Sequence, residues 1–300
     1  MDRRALADSS TLRLVQIALA EDIGSGDVSA EALIDPEAMA RGVFLAKAEG
    51  IIAGTALATL VFNQVDRSIS CDWLVNDGDR VKGGQVIAHV QGTVRGLLSA
   101  ERTALNFLQR MSGVATLTRR YVDAVAGTGA VILDTRKTIP GWRLLDKYSV
   151  TVGGGVNLRM GLYDMVMIKD NHIAAHGSLT HAVAEVRRHI AEWGRNDLKI
   201  EVETKNLEEV REALACEGIA RIMFDNFPLE MMREAVTIVA GAVETEASGG
   251  VNLETVRPIA ETGVQFISVG ALTHSAPALD ISLDFEAQVP VEAGPGTSSM

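Results

Sequence analysis

The chain has 300 residues, of which 47% are hydrophobic, and a formal net charge of −11 at pH 7. This size and composition are typical of a globular protein with one large domain or two ordinary ones, each with a sizeable core. An acidic chain without basic tracts disfavours nucleic acid as a partner. The first residues contain no apolar core of signal-peptide length, and the longest apolar-rich run, 51–62, has only twelve residues. We therefore expect neither export nor a membrane span.

The two cysteines, Cys71 and Cys216, lie far apart in the sequence and belong to no CxxC motif. This arrangement indicates neither a disulfide framework nor a zinc site. Because free cysteines are typical of a reducing compartment, we expect a cytoplasmic location.

The first predicted element is a helix. Ser9 or Ser10 is its candidate N-cap, and the helix is expected to end near the turn at 24–27. Its apolar face is formed by Leu12, Val15 and Leu19.

Residues 42–96 change to short apolar runs bounded by turn residues, with one helix near 54–64. This pattern predicts a small strand-rich layer. Within it, the sequence NDGDRVKGGQVIAHVQG at 76–92 resembles the hammerhead hairpin of biotinyl and lipoyl carriers, which makes a carrier module with a modified Lys82 an alternative. Lys82 is followed by two glycines and lacks the flanking pattern of a carrier lysine. A structural hairpin is therefore the favoured interpretation.

Residues 98–126 have a helical pattern that Gly113 interrupts, so we predict one helix, a break at 112–114 and a second helix. Arg102 lies near the start of the first helix. From spacing alone, the simplest interpretation of Arg102 is an ion pair with Glu101 on the helix surface.

Six strand-like runs begin near residues 131, 165, 199, 221, 243 and 265, and each is followed by a helix-length segment. Such regular alternation predicts parallel strands, and no GxGxxG follows the first run, which argues against a dinucleotide-binding fold. The residues that could take part in binding or catalysis all lie at or just past the end of a strand, as they do in barrels of the TIM type. These residues are Arg136, Lys137, Lys169, Glu203, Asp225, Ser248, Gly249, Gly250 and Gly270.

The segment 134–172 is locally cationic in this acidic chain. It has six Lys and Arg against four Asp and Glu, a net charge of +2. Its cations adjoin apolar runs or turn signals, because Arg136 and Lys137 closely follow VIL and Lys169 follows MVMI. Charges at the ends of buried strands commonly point into a site. We therefore predict a site for an anionic ligand.

Several motifs of this chain resemble those of the quinolinate phosphoribosyltransferase family. They are DTRKT followed by PG, GGG with an Arg four residues later, IKDNH, ERTALNFLQRMSGVAT, EVE, FDN, EASGG and SVGALTHS. The resemblance implies transfer of a phosphoribosyl group from phosphoribosyl pyrophosphate to quinolinate with decarboxylation, which yields nicotinate mononucleotide, pyrophosphate and CO2 for NAD biosynthesis. It also implies an incomplete TIM-like α/β barrel plus an N-terminal α+β sandwich domain, and a homodimer or a higher oligomer.

The expected domains are an N-terminal domain at 1–114, completed by 275–288, a catalytic barrel at 115–274, and a disordered tail at 289–300. The tail is small, polar and rich in Pro and Gly, which is typical of disordered segments.

The resemblance also implies a role for each site residue. Quinolinate is held by Thr135, Arg136, Arg159, Lys169 and Arg102 of the partner subunit, and Lys137 faces the ribose or the pyrophosphate. Glu203 and Asp225 hold the ribose hydroxyls and stabilise the positive ribosyl centre, so that Lys137, Glu203 and Asp225 are the catalytic residues. Backbone N–H groups of Ser248, Gly249, Gly250, Gly270 and Ala271 are expected to bind the 5′-phosphate, with His274 as a further contact. Mg2+ is expected to be bound mainly through pyrophosphate oxygens rather than by a dedicated protein site.

One residue departs from the family pattern. Leu158 stands before Arg159 where the family commonly has His, and losing a hydrogen bond to a carboxylate costs about 1.5–3 kcal/mol. Two alternatives therefore stay open: a related phosphoribosyltransferase for another pyridine-like or heterocyclic acid, and a noncatalytic anion-binding barrel.

Overall fold

A computed structural model describes residues 8–285. The predicted tail at 289–300 and the last residues of the predicted segment 275–288 lie outside this range. The described chain divides into two compact units, one of residues 12–109 with 279–285 and one of residues 8–11 with 110–278. The predicted domain boundaries stay a prediction.

The unit of residues 12–109 and 279–285 is an α+β arrangement. Its main sheet has four antiparallel strands in the order β12 (Ile281–Phe285), β1 (Met39–Ala46), β5 (Val86–Thr93) and β3 (Ser70–Trp73), and β2 (Gly50–Ile51) pairs with β4 (Arg80–Val81) in a second, two-stranded sheet. Phe44 is fully buried, meets the Phe62 ring edge-on at 6.0 Å and stacks on Trp73 at 5.5 Å. The elements are α1 (Ser9–Ile23), α2 (Val28–Leu33), β1 (Met39–Ala46), β2 (Gly50–Ile51), α3 (Thr55–Val65), β3 (Ser70–Trp73), β4 (Arg80–Val81), β5 (Val86–Thr93), the first part of α4 (Val94–Ala124) and β12 (Ile281–Phe285).

The first helix agrees with its predicted span, but its cap does not. Asp8 precedes α1, and its carboxylate accepts a hydrogen bond of 2.8 Å from the Ser10 N–H. Ser9 and Ser10 lie inside the helix, so the predicted serine cap was wrong. A carboxylate at this position satisfies a free N–H of the first turn as well as a serine would.

The predicted hairpin at 76–92 is also wrong, because β4 pairs with β2 while β5 pairs with β1 and β3. The turn between β4 and β5 is bound to the end of β1 instead. Gly84 N donates to the Ala46 carbonyl at 2.7 Å, and Ala46 N donates to the Gln85 carbonyl at 2.9 Å. Lys82 is an exposed residue in this turn.

Helix α4 runs from Val94 to Ala124 without the predicted break at 112–114. Ser112 and Val114 are fully buried, and a Cβ on Gly113 would collide with the Pro277 carbonyl oxygen. The glycine therefore permits a close backbone approach and does not end the helix.

The unit of residues 110–278 contains a parallel sheet of six strands in the order β6 (Val131–Leu133), β11 (Phe266–Ser268), β10 (Glu244–Ser248), β9 (Ile219–Asp225), β8 (Ile200–Thr204) and β7 (Val166–Ile168). An isolated parallel bridge joins Val156 to Leu133 beside β6. All six predicted strands are confirmed, as is the fold: an incomplete TIM-like α/β barrel plus an N-terminal α+β domain. The elements are β6 (Val131–Leu133), α5 (Arg143–Val152), β7 (Val166–Ile168), α6 (Asp170–His176), α7 (Leu179–Glu192), β8 (Ile200–Thr204), α8 (Leu207–Ala215), β9 (Ile219–Asp225), α9 (Leu229–Val239), β10 (Glu244–Ser248), α10 (Val256–Ala260), β11 (Phe266–Ser268) and α11 (Ala271–His274).

The two faces of the parallel sheet differ in chemistry. Alternate residues such as Ile222 and Phe224 of β9 are fully buried in an apolar core shared with side chains of the surrounding helices. The residues that alternate with them along the strand, including Arg221 and Asp225, project to the opposite side. Among residues 8–285, no helix combines the length and the apolar character that crossing a membrane requires.

Candidate active site

The predicted site residues of the second unit converge on one edge of the parallel sheet. Because the strands are parallel, their carboxyl ends all meet at this edge. Arg159 is three residues beyond Val156, which is bridged to the end of β6. The residues at or just past strand ends are Thr135, Arg136, Lys137, Lys169, Glu203, Asp225, Ser248, Gly249, Gly250, Gly270, Ala271 and His274.

Lys169 and Glu203 form an ion pair between the ends of β7 and β8. The Glu203 side chain is only 10% exposed, whereas that of Lys169 is 41% exposed. Lys169 is also the N-cap of α6, where its backbone N–H donates to His172 Nδ1 at 3.0 Å. His172 thus has a structural part in fixing the backbone at Lys169.

Arg136 and Arg159 form a cationic pair whose charges influence each other. Arg136 Nε is buried and has no hydrogen-bond partner among residues 8–285. Burial and the charge of Arg136 lower the pKa of Arg159, while the carboxylates of Glu201 and Asp164 oppose this shift. Two guanidinium groups held near each other are suited to a ligand with more than one negative charge.

Lys137 lies over the end of β11. A Cβ on Gly270 would lie 3.0 Å from Lys137 Cδ and 3.3 Å from the His274 ring. The Lys137 carbonyl accepts a hydrogen bond of 2.9 Å from Thr273 Oγ1, and its N–H donates to Thr135 Oγ1 at 3.0 Å. The absence of a side chain at Gly270 therefore lets Lys137 and His274 approach its backbone closely.

Asn226 joins Asp225 to the loop at 248–250. Its Nδ2 donates to Asp225 Oδ1 at 3.1 Å, and its backbone N–H donates to the Ser248 carbonyl at 2.8 Å. A Cβ on Gly249, where φ is +92°, would collide with the Asn226 side chain. Sequence reasoning assigned Asn226 no role, although its FDN motif was a signal. Asn226 therefore fixes the position of Asp225 relative to the predicted phosphate loop.

A buried ion pair lies behind the loop of Arg159 and was not foreseen from the sequence. Lys147 and Asp134 are 1% and 0% exposed and bond to each other. Asp134 Oδ1 accepts from Leu158 N at 2.9 Å, and Lys147 Nζ donates to the Leu158 carbonyl at 3.1 Å. Burial raises the pKa of Asp134 to about 6, while the Lys147 charge and the hydrogen bonds oppose this. The main chain next to Arg159 is therefore fixed on both its N–H and its carbonyl.

A second unforeseen group lies on the inward face of the strands. Glu246 is fully buried and accepts hydrogen bonds from Arg221 Nη1, at 2.7 Å, and from Ser268 Oγ. Glu201 is also fully buried, yet neither of its carboxyl oxygens has a hydrogen-bond partner among the described residues. Burial and the charge of Glu246 raise the pKa of Glu201 to about 9, so this carboxyl is neutral at pH 7. Glu201 and Glu203 share a strand face, which was the available sequence signal.

Two family models match the chain. The N-terminal domain of quinolinate phosphoribosyl transferase matches residues 27–112, and the C-terminal domain matches residues 114–284. The chain belongs to the quinolinate phosphoribosyltransferase family. It is 48% identical over 296 residues to quinolinate phosphoribosyltransferase [decarboxylating] 2, mitochondrial, of Nicotiana glauca, with 94% of this chain and 84% of that protein covered.

Bacterial relatives show the same similarity. The probable nicotinate-nucleotide pyrophosphorylase [carboxylating] of Bacillus subtilis is 44% identical over 264 residues, with 88% of this chain and 89% of that protein covered. The structure of the nicotinate-nucleotide pyrophosphorylase from Francisella tularensis superposes with a TM-score of 0.86 at 39% identity, with 92% of this chain and 96% of that chain covered.

Arg102, which is predicted to complete a partner's site, belongs to the unit of residues 12–109. It lies on α4 with 61% of its side chain exposed, and its guanidinium is 3.9 Å from Glu101 Oε1. Burial raises the pKa of Glu101, and the charge of Arg102 opposes this shift. The ion pair is long and solvated, so it adds little stability. The role of Arg102 stays a prediction, as do those of the other site residues.

A groove of about 580 Å3 runs along β7 and is lined by Arg159, by apolar side chains of β7 and its neighbours, and by both polar and apolar side chains of α6 and α7. The groove shares Arg159 with the predicted quinolinate site. Large apolar side chains are exposed nearby, with Leu162 at 74% and Trp193 at 65%. Among residues 8–285, no three His, Cys, Asp or Glu side chains form a group that could hold a metal ion.

Proposed function

We propose that this chain transfers a phosphoribosyl group from phosphoribosyl pyrophosphate to quinolinate with decarboxylation, giving nicotinate mononucleotide, pyrophosphate and CO2 as a step of NAD biosynthesis. The observation that carries the proposal is the cation pair of Arg136 and Arg159 at the same sheet edge as Glu203 and Asp225. A pyridine with two adjacent carboxylates matches such a pair. The names of the relatives support the same activity.

In this proposal the pyridine dicarboxylate is bound by Arg136, Arg159 and Lys169, with Thr135 at its edge. Two planar guanidinium groups bind carboxylates bidentately and orient the ring, whereas Lys169 adds a point charge. The ring nitrogen is already nucleophilic, so the protein's main task is to hold it in line with the anomeric carbon of the ribose.

The ribosyl side is assigned to the carboxylates and the phosphate loops. As the bond from the anomeric carbon to pyrophosphate breaks, Glu203 and Asp225 stabilise the positive ribosyl centre, and Lys137 stabilises the departing charge. The 5′-phosphate is bound by backbone N–H groups of Ser248, Gly249, Gly250, Gly270 and Ala271, with His274 beside them.

Decarboxylation follows from the first step. The ribosylated ring nitrogen is cationic, so it stabilises the electron pair that remains on the neighbouring carbon when the bond to the carboxylate breaks. That carbon then takes up a proton, and CO2 leaves. No additional organic cofactor is required for this chemistry.

Mg2+ is proposed as the cofactor. The ion would be bound mainly through pyrophosphate oxygens and water, near the carboxylates of Glu203 and Asp225. When bound, the ion would offset negative charge on the leaving pyrophosphate.

A homodimer, with Arg102 of the partner subunit completing the quinolinate site, is proposed on two observations. The Arg102 side chain is largely exposed, and Leu162 and Trp193 expose large apolar surfaces near β7. Mixing Arg102→Ala with Arg159→Ala protein should restore part of the activity through heterodimers. No recovery after verified subunit exchange would count against a shared site.

A cytoplasmic location is proposed because both cysteines are free. The names of the relatives do not contribute to this proposal, because plant relatives are named as mitochondrial or chloroplastic.

The experiment that tests the activity incubates the purified protein with phosphoribosyl pyrophosphate, Mg2+ and either quinolinate or nicotinate. Nicotinate mononucleotide is followed by chromatography and CO2 is measured in parallel. We expect product from quinolinate with matching CO2, and none from the Arg136→Ala variant. Product from nicotinate alone would assign the chain to another heterocyclic acid, and binding without product would indicate a noncatalytic barrel.

A further inference from the structure

Arg143, the first residue of α5, lies between the two loops that carry the predicted carboxylate-binding arginines. Its Nε donates to Thr138 Oγ1 at 3.2 Å and its Nη2 to the Arg136 carbonyl at 3.3 Å. Its Nη1 donates to the Met160 carbonyl at 3.2 Å. One guanidinium therefore holds the loop of Arg136 at two points and the loop of Arg159 at one.

We propose that Arg143 is a positioning residue that sets the spacing between Arg136 and Arg159, and thereby selects a ring with carboxylates on adjacent carbons. This inference rests on the proposed function and deepens it. Arg143 acts through the two loops and is not assigned a contact with the substrate.

The shape of the side chain explains why an arginine stands here. The three acceptors are met by three different nitrogens of one rigid, planar group. A rigid, planar guanidinium fixes the distances between the acceptors that it binds. A lysine ammonium on a flexible stem would fix one acceptor and leave the loops free to separate. The loops have no strand pairing with each other beyond the isolated bridge at Val156 among the described residues, so their spacing depends on such cross-links.

The buried pair of Lys147 and Asp134 joins the two loops at Leu158, before Arg159, whereas Arg143 joins them at and just after the two arginines. Asp164 accepts from Met160 N at 2.7 Å and Gly161 N at 3.0 Å, so it fixes the loop after Arg159. Asp146 accepts from Ile139 N at 3.2 Å and fixes the loop after Arg136. Neither carboxylate is hydrogen-bonded to both loops.

The test compares Arg143→Ala and Arg143→Lys with Arg257→Ala as the matched control. Arg257 also donates to main-chain carbonyls, to that of Ala126 at 2.8 Å, but it does so before β6 and therefore at the opposite edge of the sheet. Calorimetry measures the Kd of quinolinate and of its isomers with carboxylates at ring positions 2,4 and 2,5. Steady-state kinetics measure KM for quinolinate and for phosphoribosyl pyrophosphate.

We expect both Arg143 variants to weaken quinolinate binding by about tenfold or more, because misplaced binding groups lose much of their interaction. They should also reduce the preference for quinolinate over its isomers by a similar factor. KM for phosphoribosyl pyrophosphate should stay within about twofold, and Arg257→Ala should leave both the quinolinate Kd and the isomer preference unchanged.

An unchanged isomer preference, wild-type behaviour of Arg143→Lys, or an equal rise in both KM values would overturn the proposal. If Arg143→Ala does not fold, Arg143→Lys and Thr138→Val supply the same comparison, since Thr138→Val removes one of the three acceptors. A wild type that binds quinolinate selectively without forming product would refute the proposed activity, while the binding data still decide the role of Arg143. A wild type that binds none of the dicarboxylates would overturn both.

Discussion

Replacing Lys147 by Met removes the cation of a fully buried ion pair while keeping a side chain of similar length. Lys147 bonds to Asp134 and to the Leu158 carbonyl, and the two charged side chains are 1% and 0% exposed. Without Lys147, Asp134 keeps the hydrogen bond from Leu158 N but loses its counter-charge. Removing one partner of such a pair costs about 3–5 kcal/mol, because the remaining charge stays buried and unpaired.

The loss should depend on pH in a defined direction. The pKa of Asp134 is already raised to about 6 with Lys147 present, and Lys147 is the main group that opposes the raising. In the variant the pKa must lie higher. A carboxyl with a raised pKa in the folded state holds a proton that the unfolded chain has released, so stability falls as pH rises towards the folded pKa, by at most about 1.4 kcal/mol per pH unit. The penalty should therefore be smaller at pH 5.5 than at pH 7.5.

The assay is denaturant unfolding of wild type, Lys147→Met, Asp134→Asn and the double variant at pH 5.5 and 7.5, at one protein concentration. The double variant should recover part of the loss, with a coupling free energy of about 1–3 kcal/mol. Lys205→Met serves as control, since its ion pair with Asp170 is exposed and adds little. A Lys147→Met penalty no larger than that of the control, or equal at both pH values, would refute the reasoning.

Three further outcomes are expected. The raised pKa of about 9 keeps Glu201 protonated in the folded state, so the stability that this group contributes is lost as pH rises from about 5 to 9. The free energy of unfolding should therefore depend less on pH over that interval in Glu201→Gln than in the wild type. Parallel curves for the two proteins would contradict this. Glu203→Gln should lower kcat by about 10²-fold at saturating substrate, whereas a change in KM alone would argue against stabilisation of the ribosyl centre. Gly249→Ala, which drives a Cβ into Asn226, should raise KM for phosphoribosyl pyrophosphate, while Gly129→Ala, with similar φ but open space, should not.

The six parallel strands were predictable because short strand-like runs alternate with helix-length segments, and because the last four runs recur at a fixed interval with a chemically active residue at the end. The hairpin at 76–92 was wrong because β4 and β5 pair with other strands, and the break at 112–114 was wrong because Gly113 admits a neighbouring carbonyl. A glycine that turns the chain and a glycine that admits a neighbouring carbonyl, as Gly113 does, look alike in sequence. Only the tertiary contact tells them apart.

The residues that sequence reasoning missed act through contacts between distant segments. Arg143 and Lys147 precede the loop at 158–160 by more than ten residues and meet it only after α5 has packed. Asn226 joins two strands through a backbone N–H. Lys147 did carry one signal, a lysine within the largely apolar LLDKYSV run, since a charge on a buried helix face requires a partner.

The contacts around Leu158 limit what this departure from the family pattern means. Its N–H is bound by Asp134 and its carbonyl by Lys147, and neither contact involves the side chain. The main chain leading to Arg159 is therefore positioned whichever residue occupies position 158. A histidine there could add at most one hydrogen bond to a carboxylate, about 1.5–3 kcal/mol. Arg159 supplies a whole charge, and that of Arg136 lies close enough to influence it. The substitution at 158 therefore bears on affinity for quinolinate, whereas the geometry of the arginine pair bears on which acid is bound.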